Sequence, residues 1–229
     1  CGIGVAVSDS PYGPFKDALS RPMLTNADCP GTDHSWACID PAVYQDEEGN
    51  AWLYWGNRRC FAAKLKPNMI EIDGEVMDIT PEGVNFTEAP WVHKHDGKYY
   101  LTFAQGWPEK LGYAVSNSPE GPFEYRGIFS EIAGNSNTTH PAVVEFKGKT
   151  ILFTHNGALH AGTSYSRSVC AQELKYDKDG NILKCDITTD GVPYTEEYYE
   201  RKAAKEKAAR KFEDKMGAYL MVYHKDADH

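Results

Sequence analysis

Apolar and polar positions alternate in short runs along most of the chain. Three of these runs repeat one design. Asp40-Pro41-Ala42-Val43-Tyr44 is followed by Glu48-Gly49-Asn50 and by Ala51-Trp52-Leu53-Tyr54-Trp55. Glu88-Ala89-Pro90-Trp91-Val92 is followed by Asp96-Gly97 and by Lys98-Tyr99-Tyr100-Leu101-Thr102-Phe103. His140-Pro141-Ala142-Val143-Val144 is followed by Lys147-Gly148-Lys149 and by Thr150-Ile151-Leu152-Phe153. Each reads as strand, tight glycine turn, strand. The copies start at 40, 88 and 140, spacings of 48 and 52 residues. A second repeat has a similar period. Gly4-Val5-Ala6-Val7-Ser8 through Pro14-Phe15 returns as Gly112-Tyr113-Ala114-Val115-Ser116 through Pro122-Phe123, 108 residues later, about two units.

Several short strands per unit, repeated near every fifty residues, predict an all-β propeller. Matching positions of successive blades face one axis. Asp40, Glu88 and His140 are therefore predicted to converge, and convergent ionisable groups at a channel mouth are a candidate active site. An acid before proline is, taken alone, more often a strand-end cap, and it is the repetition in register that favours function. Further strands are predicted at 2–8, 61–65, 112–116, 168–176 and 182–187, the last two flanking the turn Asp177-Lys178-Asp179-Gly180. Residues 17–38, with Pro22, Asn26, Pro30 and Gly31, read as a long loop. From Thr195 the pattern changes to an Ala-, Glu- and Lys-rich run without Gly or Pro, a polar helix, and Gly217–Tyr223 reads as a strand again. The resulting division is a partial propeller over 1–194 with about three to four blades, a helical linker or strap over 195–215, and the start of a further strand or module over 216–229.

The 229 residues are enough for one sizeable core. The formal net charge of −9, with no basic cluster before residue 201, argues against nucleic acid and anionic membrane as partners. No apolar run is long enough to span a bilayer. The six cysteines include no C-x-x-C pair and are expected to be mostly free and buried. Fourteen tyrosines and five tryptophans suit strands, and they also suit stacking on sugars. Trp36 and Trp107 fall on loops where a ring is free to stack. Asn156, beyond the third unit's outgoing strand, is placed to bind sugar hydroxyls. His93 and His95, at a hairpin, are expected to be solvated rather than to bind metal.

Hydrolysis of a glycosidic bond requires a protonated acid at the leaving oxygen and a second carboxylate that activates water or attacks. Apolar walls and a nearby anion raise the acid's pKa. Glu88, beside Ala89-Pro90-Trp91, has the apolar setting, and Asp40 is the nearby anion.

The stretches Gly4–Phe15, Ile39–Gly56, Thr87–Phe103, Gly112–Phe123 and Thr139–Val169 together resemble glycoside hydrolase family 43, five-bladed β-propellers acting on arabinose- and xylose-containing polysaccharides. The resemblance implies an inverting reaction with Glu88 as general acid and Asp40 as the residue that tunes and orients it. It implies a His140 near the axis, close to a structural calcium or its waters, and an Arg167 that hydrogen-bonds the glycone. No other cofactor is implied. Many members carry glycine where this chain has Ala89, a change expected to matter little. The general base belongs to a first blade. Counted back by the repeat, the slot before Asp40 falls at roughly residue −10, so both ends of the sequence read as cut. Asp226 and Asp228 lack the family's Asp-Pro context. An incomplete propeller is expected to self-associate or recruit a complementary fragment. The competing reading is a catalytically silent propeller that binds glycans or mediates protein contacts.

Overall fold

The computed structural model describes residues 1–188, 191–192, 200 and 203–208. Two compact units are distinguished, Cys1–Thr189 and Asp190–His229. In the second, residues 203–208 are helical and exposed. The strand expected over 217–223, Asp226 and Asp228 lie outside the described residues. Among those described, no helix is long and apolar enough to cross a membrane.

The first unit is nearly all β. Its strands are β1 (Gly2–Ile3), β2 (Ala6–Val7), β3 (Lys16–Asp17), β4 (Leu24–Thr25), β5 (Ala42–Gln45), β6 (Ala51–Trp55), β7 (Phe61–Leu65), β8 (Met77–Asp78), β9 (Phe86–His95), β10 (Lys98–Gln105), β11 (Lys110–Ser116), β12 (Glu124–Ser130), β13 (Ala142–Phe146), β14 (Lys149–Asn156) and β15 (Ser168–Glu173). They form antiparallel meanders β5-β6-β7-β8, β9-β10-β11-β12 and β13-β14-β15, preceded by the ribbons β1-β4 and β2-β3. Each meander is a blade of a partial propeller.

Turn chemistry sets each hairpin. In the second and third blades, Asp96-Gly97 (φ 45° and 77°) and Lys147-Gly148 (φ 51° and 74°) both take left-handed backbone, the geometry of a two-residue hairpin turn. The first blade has a longer turn in which Asp46 Oδ1 accepts from the Glu48 and Asn50 N–H groups at 3.0 and 2.8 Å.

The distant repeat also closes on itself structurally. The Ser10 N–H donates to Ser8 Oγ as the Ser118 N–H does to Ser116 Oγ, at 3.2 and 3.1 Å. Gly13 and Gly121 both take φ 81°. The first ribbons therefore correspond to the outer strands β11 and β12. The strand expected over 2–8 is broken into β1 and β2. The strand expected over 182–187 reduces to one bridge, Tyr176 to Ile182. Downstream the Cys185 N–H donates to Phe129 O, so this segment leaves its hairpin partner for the second blade.

Three apolar layers hold the unit together. Ile3, Leu24, Leu53, Trp55 and Phe61 form one. Trp52 and Tyr54 meet Val92, Leu101, Phe103 and Phe123 in the next. Tyr100, Tyr113 and Phe129 meet Val143, Leu152 and Ile182 in the third. Strand β6 is buried along its whole length, which explains why its apolar residues do not alternate with polar ones. Five of the six free cysteines are buried in these layers and loops, Cys1 being exposed.

His93 belongs to this packing. Its ring lies between Tyr100 and Tyr176, with Nε2 2.7 Å from the Tyr176 hydroxyl. Contrary to the expectation from its place near a hairpin, it is buried. Alternation on β9 turns it towards the third blade.

Candidate active site

The inner strand β9 touches both β5 and β13, so the residues entering these three strands lie side by side. Ligand atoms of Asp40, Glu88 and His140 all fall within 4.8 Å of one another. His140 Nε2 is 3.0 Å from Glu88 Oε1 and 3.7 Å from Asp40 Oδ2. A cleft of about 360 Å³ opens here, lined by Asp40, Trp91, His140, Phe153, His155 and Val169 among others. A larger groove of about 1130 Å³ runs along the outer strands past Met77, Phe123 and Tyr125 and shares no lining residue with it.

The three residues do not occupy matching slots. Aligned on the prolines, Asp40, Ala89 and His140 correspond, and Glu88 lies one residue earlier. The register explains how Glu88 still reaches the axis. Trp91 pairs with Thr102 but Glu88 pairs with Ala104, so β9 carries one extra residue there. This is a β-bulge, a device that re-aims a side chain. Ala89 sits in it at φ 62°, a left-handed conformation that disfavours a Cβ. Alanine in place of glycine is therefore not neutral here, against the sequence-based expectation. Asp40 takes φ 56°, which Asp tolerates better than most residues.

The electrostatics follow from these contacts. The hydrogen bond from His140 holds the Glu88 carboxyl below its ordinary value; burial opposes this, and Asn57 assists, its Nδ2 donating to Glu88 Oε2 at 2.8 Å. This reverses the raised value expected from the apolar flank of Glu88. Burial alone would lower the His140 imidazole, but Glu88, Asp40 and Glu109 together hold it above its usual value. The opposite senses of these two shifts are those of an ion pair between Glu88 and His140. Burial raises Asp40, against the pull of His140, the Ala89 N–H and Arg167. Its Oδ2 is buried without a hydrogen-bond partner.

Three residues at the site were not singled out by sequence reasoning. Asn57 follows Gly56 just beyond the first blade's second strand, and no repeat marks it. Glu109 is 1% exposed, and burial followed by the charges of Glu88 and Asp40 pushes its carboxyl up to about 7, despite the Thr139 N–H bound to it. It lies just ahead of β11, outside the Pro-flanked slots, so no repeat marks it. His155 lines the cleft, and burial, then Arg167 and His140, lower its ring to about 4.

Arg167 reaches this group, with Nη1 3.4 Å from His155 Nε2 and 3.5 Å from Thr138 Oγ1. Asn156 does not face the cleft with its neighbour. It is buried, and its Oδ1 accepts from the Ala158 N–H at 3.1 Å as a turn cap. Trp36 and Trp107 are exposed on loops, outside the cleft lining. Calcium binds six to eight oxygens. Two carboxylate oxygens and a ring nitrogen already engaged with Glu88 do not fit it by direct coordination.

Residues 1–182 match the pattern of the glycosyl hydrolases family 43. The chain belongs to that family. It is 34% identical to a xylosidase/arabinosidase of Bacteroides ovatus, over 79% of this chain and 64% of that protein. It is 35% identical to a xylosidase/arabinosidase of Humicola insolens, over 79% of this chain and 66% of that one. The chain thus spans just under two thirds of these family 43 relatives. Among solved structures, an α-L-arabinofuranosidase from Clostridium thermocellum superimposes with TM-score 0.70 at 34% identity, over 84% of this chain and 68% of that one. A family 43 β-xylosidase/α-arabinofuranosidase from a compost metagenome, solved calcium-free with xylotriose, gives TM-score 0.69 at 30% identity, over 80% of this chain and 65% of that one.

Proposed function

We propose that this chain carries the acid side of an inverting glycosidase acting on arabinose- or xylose-containing polysaccharides or oligosaccharides. The observation that carries this reading is the convergence of Asp40, Glu88 and His140 at the inner strand ends. The names of the relatives and the xylotriose bound by one of them support the substrate class.

Glu88 is the general acid. In the free protein it is charged and paired, so substrate must change its protonation. A pentose ring filling the cleft excludes water from the carboxyl, which favours its neutral form. Asp40 supplies the negative charge that penalises a second anion beside it. The proton then passes to the leaving oxygen while water attacks from the opposite face. No residue among those described is assigned as the base that activates this water in this reading. Arg167, held by His155 and Thr138, donates to the glycone, and Trp36 and Trp107 offer exposed rings for further sugars. A calcium ion near the axis would be met by His140 through water, since ring nitrogen suits this hard cation poorly.

In the full-length protein, Glu88→Gln is expected to abolish hydrolysis of an aryl arabinofuranoside or xyloside. Unchanged turnover would remove Glu88 from the role.

Two observations favour a second reading, a catalytically silent propeller that binds glycans or another chain. Glu88 is held ionised in the free site. Val144, Phe146, Phe153 and Val169 on the third blade are also exposed, a face suited to self-association or to a complementary fragment. Hydrolysis by residues 1–229 alone would exclude the silent reading. Light scattering that gives a monomer at all concentrations would exclude self-association.

A further inference from the structure

Glu109 combines full burial with three contacts that all lead to the reacting groups. Its N–H donates to Asn137 O at 2.9 Å. Its Oε2 accepts from the Thr139 N–H at 2.8 Å. Its carboxyl also acts on Glu88, helping to hold that carboxyl below its ordinary value. The first two contacts fasten the segment 137–139, which delivers His140 to the axis. The third bears on the carboxyl that His140 binds. A buried carboxyl normally costs stability unless its oxygens are satisfied. Here a single side chain from the second blade bridges to the entry of the third, at the point where Glu88 and His140 must meet.

We propose that Glu109 is a positioning residue that holds His140 and Glu88 in register across the junction of two blades. This rests on the reading of Glu88 as the acid, and it goes beyond that reading by naming the group that aims it. Two adjacent buried carboxyls do not ionise independently. The protonated partner donates to the ionised one, so Glu109 is the donor when Glu88 is charged. A backbone anchor on one oxygen leaves the other free for this role.

The test compares Glu109→Gln with Glu109→Ala in the full-length protein. Glutamine keeps an acceptor for the Thr139 N–H and a donor for Glu88, whereas alanine removes both. Loosening a reacting group by an ångström costs on the order of 100-fold. We expect E109A to lose about that factor in kcat with little change in KM, and E109Q to recover most of it. Glutamine still donates to Glu88, so the alkaline limb of the kcat/KM profile stays in place in E109Q, whereas in E109A the loss of that donor moves it to higher pH. A purely structural Glu109 would leave that limb in place in both variants.

Imidazole ¹⁵N NMR supplies a readout independent of turnover. The hydrogen-bonded Nε2 signal of His140 is expected in wild type and E109Q and lost in E109A. Folded E109A with unchanged His140 signals overturns the proposal. If E88Q keeps full activity while E109A disturbs His140, the acid assignment fails and the positioning role stands. If E88Q is inactive and E109A behaves as wild type, the positioning role fails alone.

Discussion

His140 Nε2 lies 3.0 Å from Glu88 Oε1. The two partners shift in opposite senses, Glu88 downward and His140 upward, as an ion pair requires. A lowered carboxyl adds stability above its unfolded pKa, near 4.5, and this is lost as pH falls through the folded value. A raised imidazole adds stability below 6.5, lost as pH rises through its folded value. The pair is thus worth most between about 4.5 and 6.5. We predict that His140→Gln lowers Tm most within that window, with a smaller difference on either side. Thermal melts of both proteins across pH test this, and a pH-independent difference would contradict it. ¹³C NMR of the variant should show Glu88 titrating higher than in wild type.

His93 behaves in the opposite way. Burial, then the neighbouring His95, lower its ring to about 3 from 6.5. Between these values the unfolded chain binds a proton that the folded chain does not. Stability therefore falls as pH drops from 6.5 towards 3. His93→Gln is expected to flatten this acid limb in denaturant titrations, although it weakens the contact with Tyr176. An unchanged acid slope would show that His93 is not its source.

Ala89 offers a stabilising change. Left-handed backbone costs alanine about 1–2 kcal/mol. Glycine's greater freedom in the unfolded chain offsets about 0.4–1 kcal/mol. Ala89→Gly is therefore expected to gain up to about 1.6 kcal/mol in urea unfolding. A loss would mean that the buried methyl contributes more by packing than the backbone conformation costs.

Phe15 and Phe123 occupy equivalent repeat positions, yet they are 59% and 5% exposed. Phe123 packs between the first and second blades. In residues 1–229, Phe123→Ala should cost about 3–5 kcal/mol, and Phe15→Ala within about 0.5 kcal/mol. Equal losses would show that Phe15 is covered in solution.

The architecture was legible because the turn glycines and the Pro-flanked strand starts recur in the chain itself. Repetition predicted the three hairpins around 40, 88 and 140 and the equivalence of Gly4–Phe15 with Gly112–Phe123. What repetition could not supply is local deviation. The extra residue at Ala89 shows in the chain only as a one-residue offset of the acid from its proline, and that the offset is a bulge emerges only from the pairing. The sign of the Glu88 shift depends on one His140 nitrogen, 52 residues away. Asn57 and Glu109 carry no repeat signal, since one follows a strand-end glycine and the other sits in a connection. The failed strand at 182–187 has a tertiary cause, the Cys185 N–H bound to Phe129 O.

The bulge in β9 has a wider meaning for a fold assembled from copies. Sibling strands in such a scaffold share their pleat, and with it the direction each residue points. One inserted position breaks that inheritance for a single copy and hands it a proton-bearing group where its siblings present something else. Chemical difference between duplicated units is then bought with one peptide unit, leaving the common core untouched.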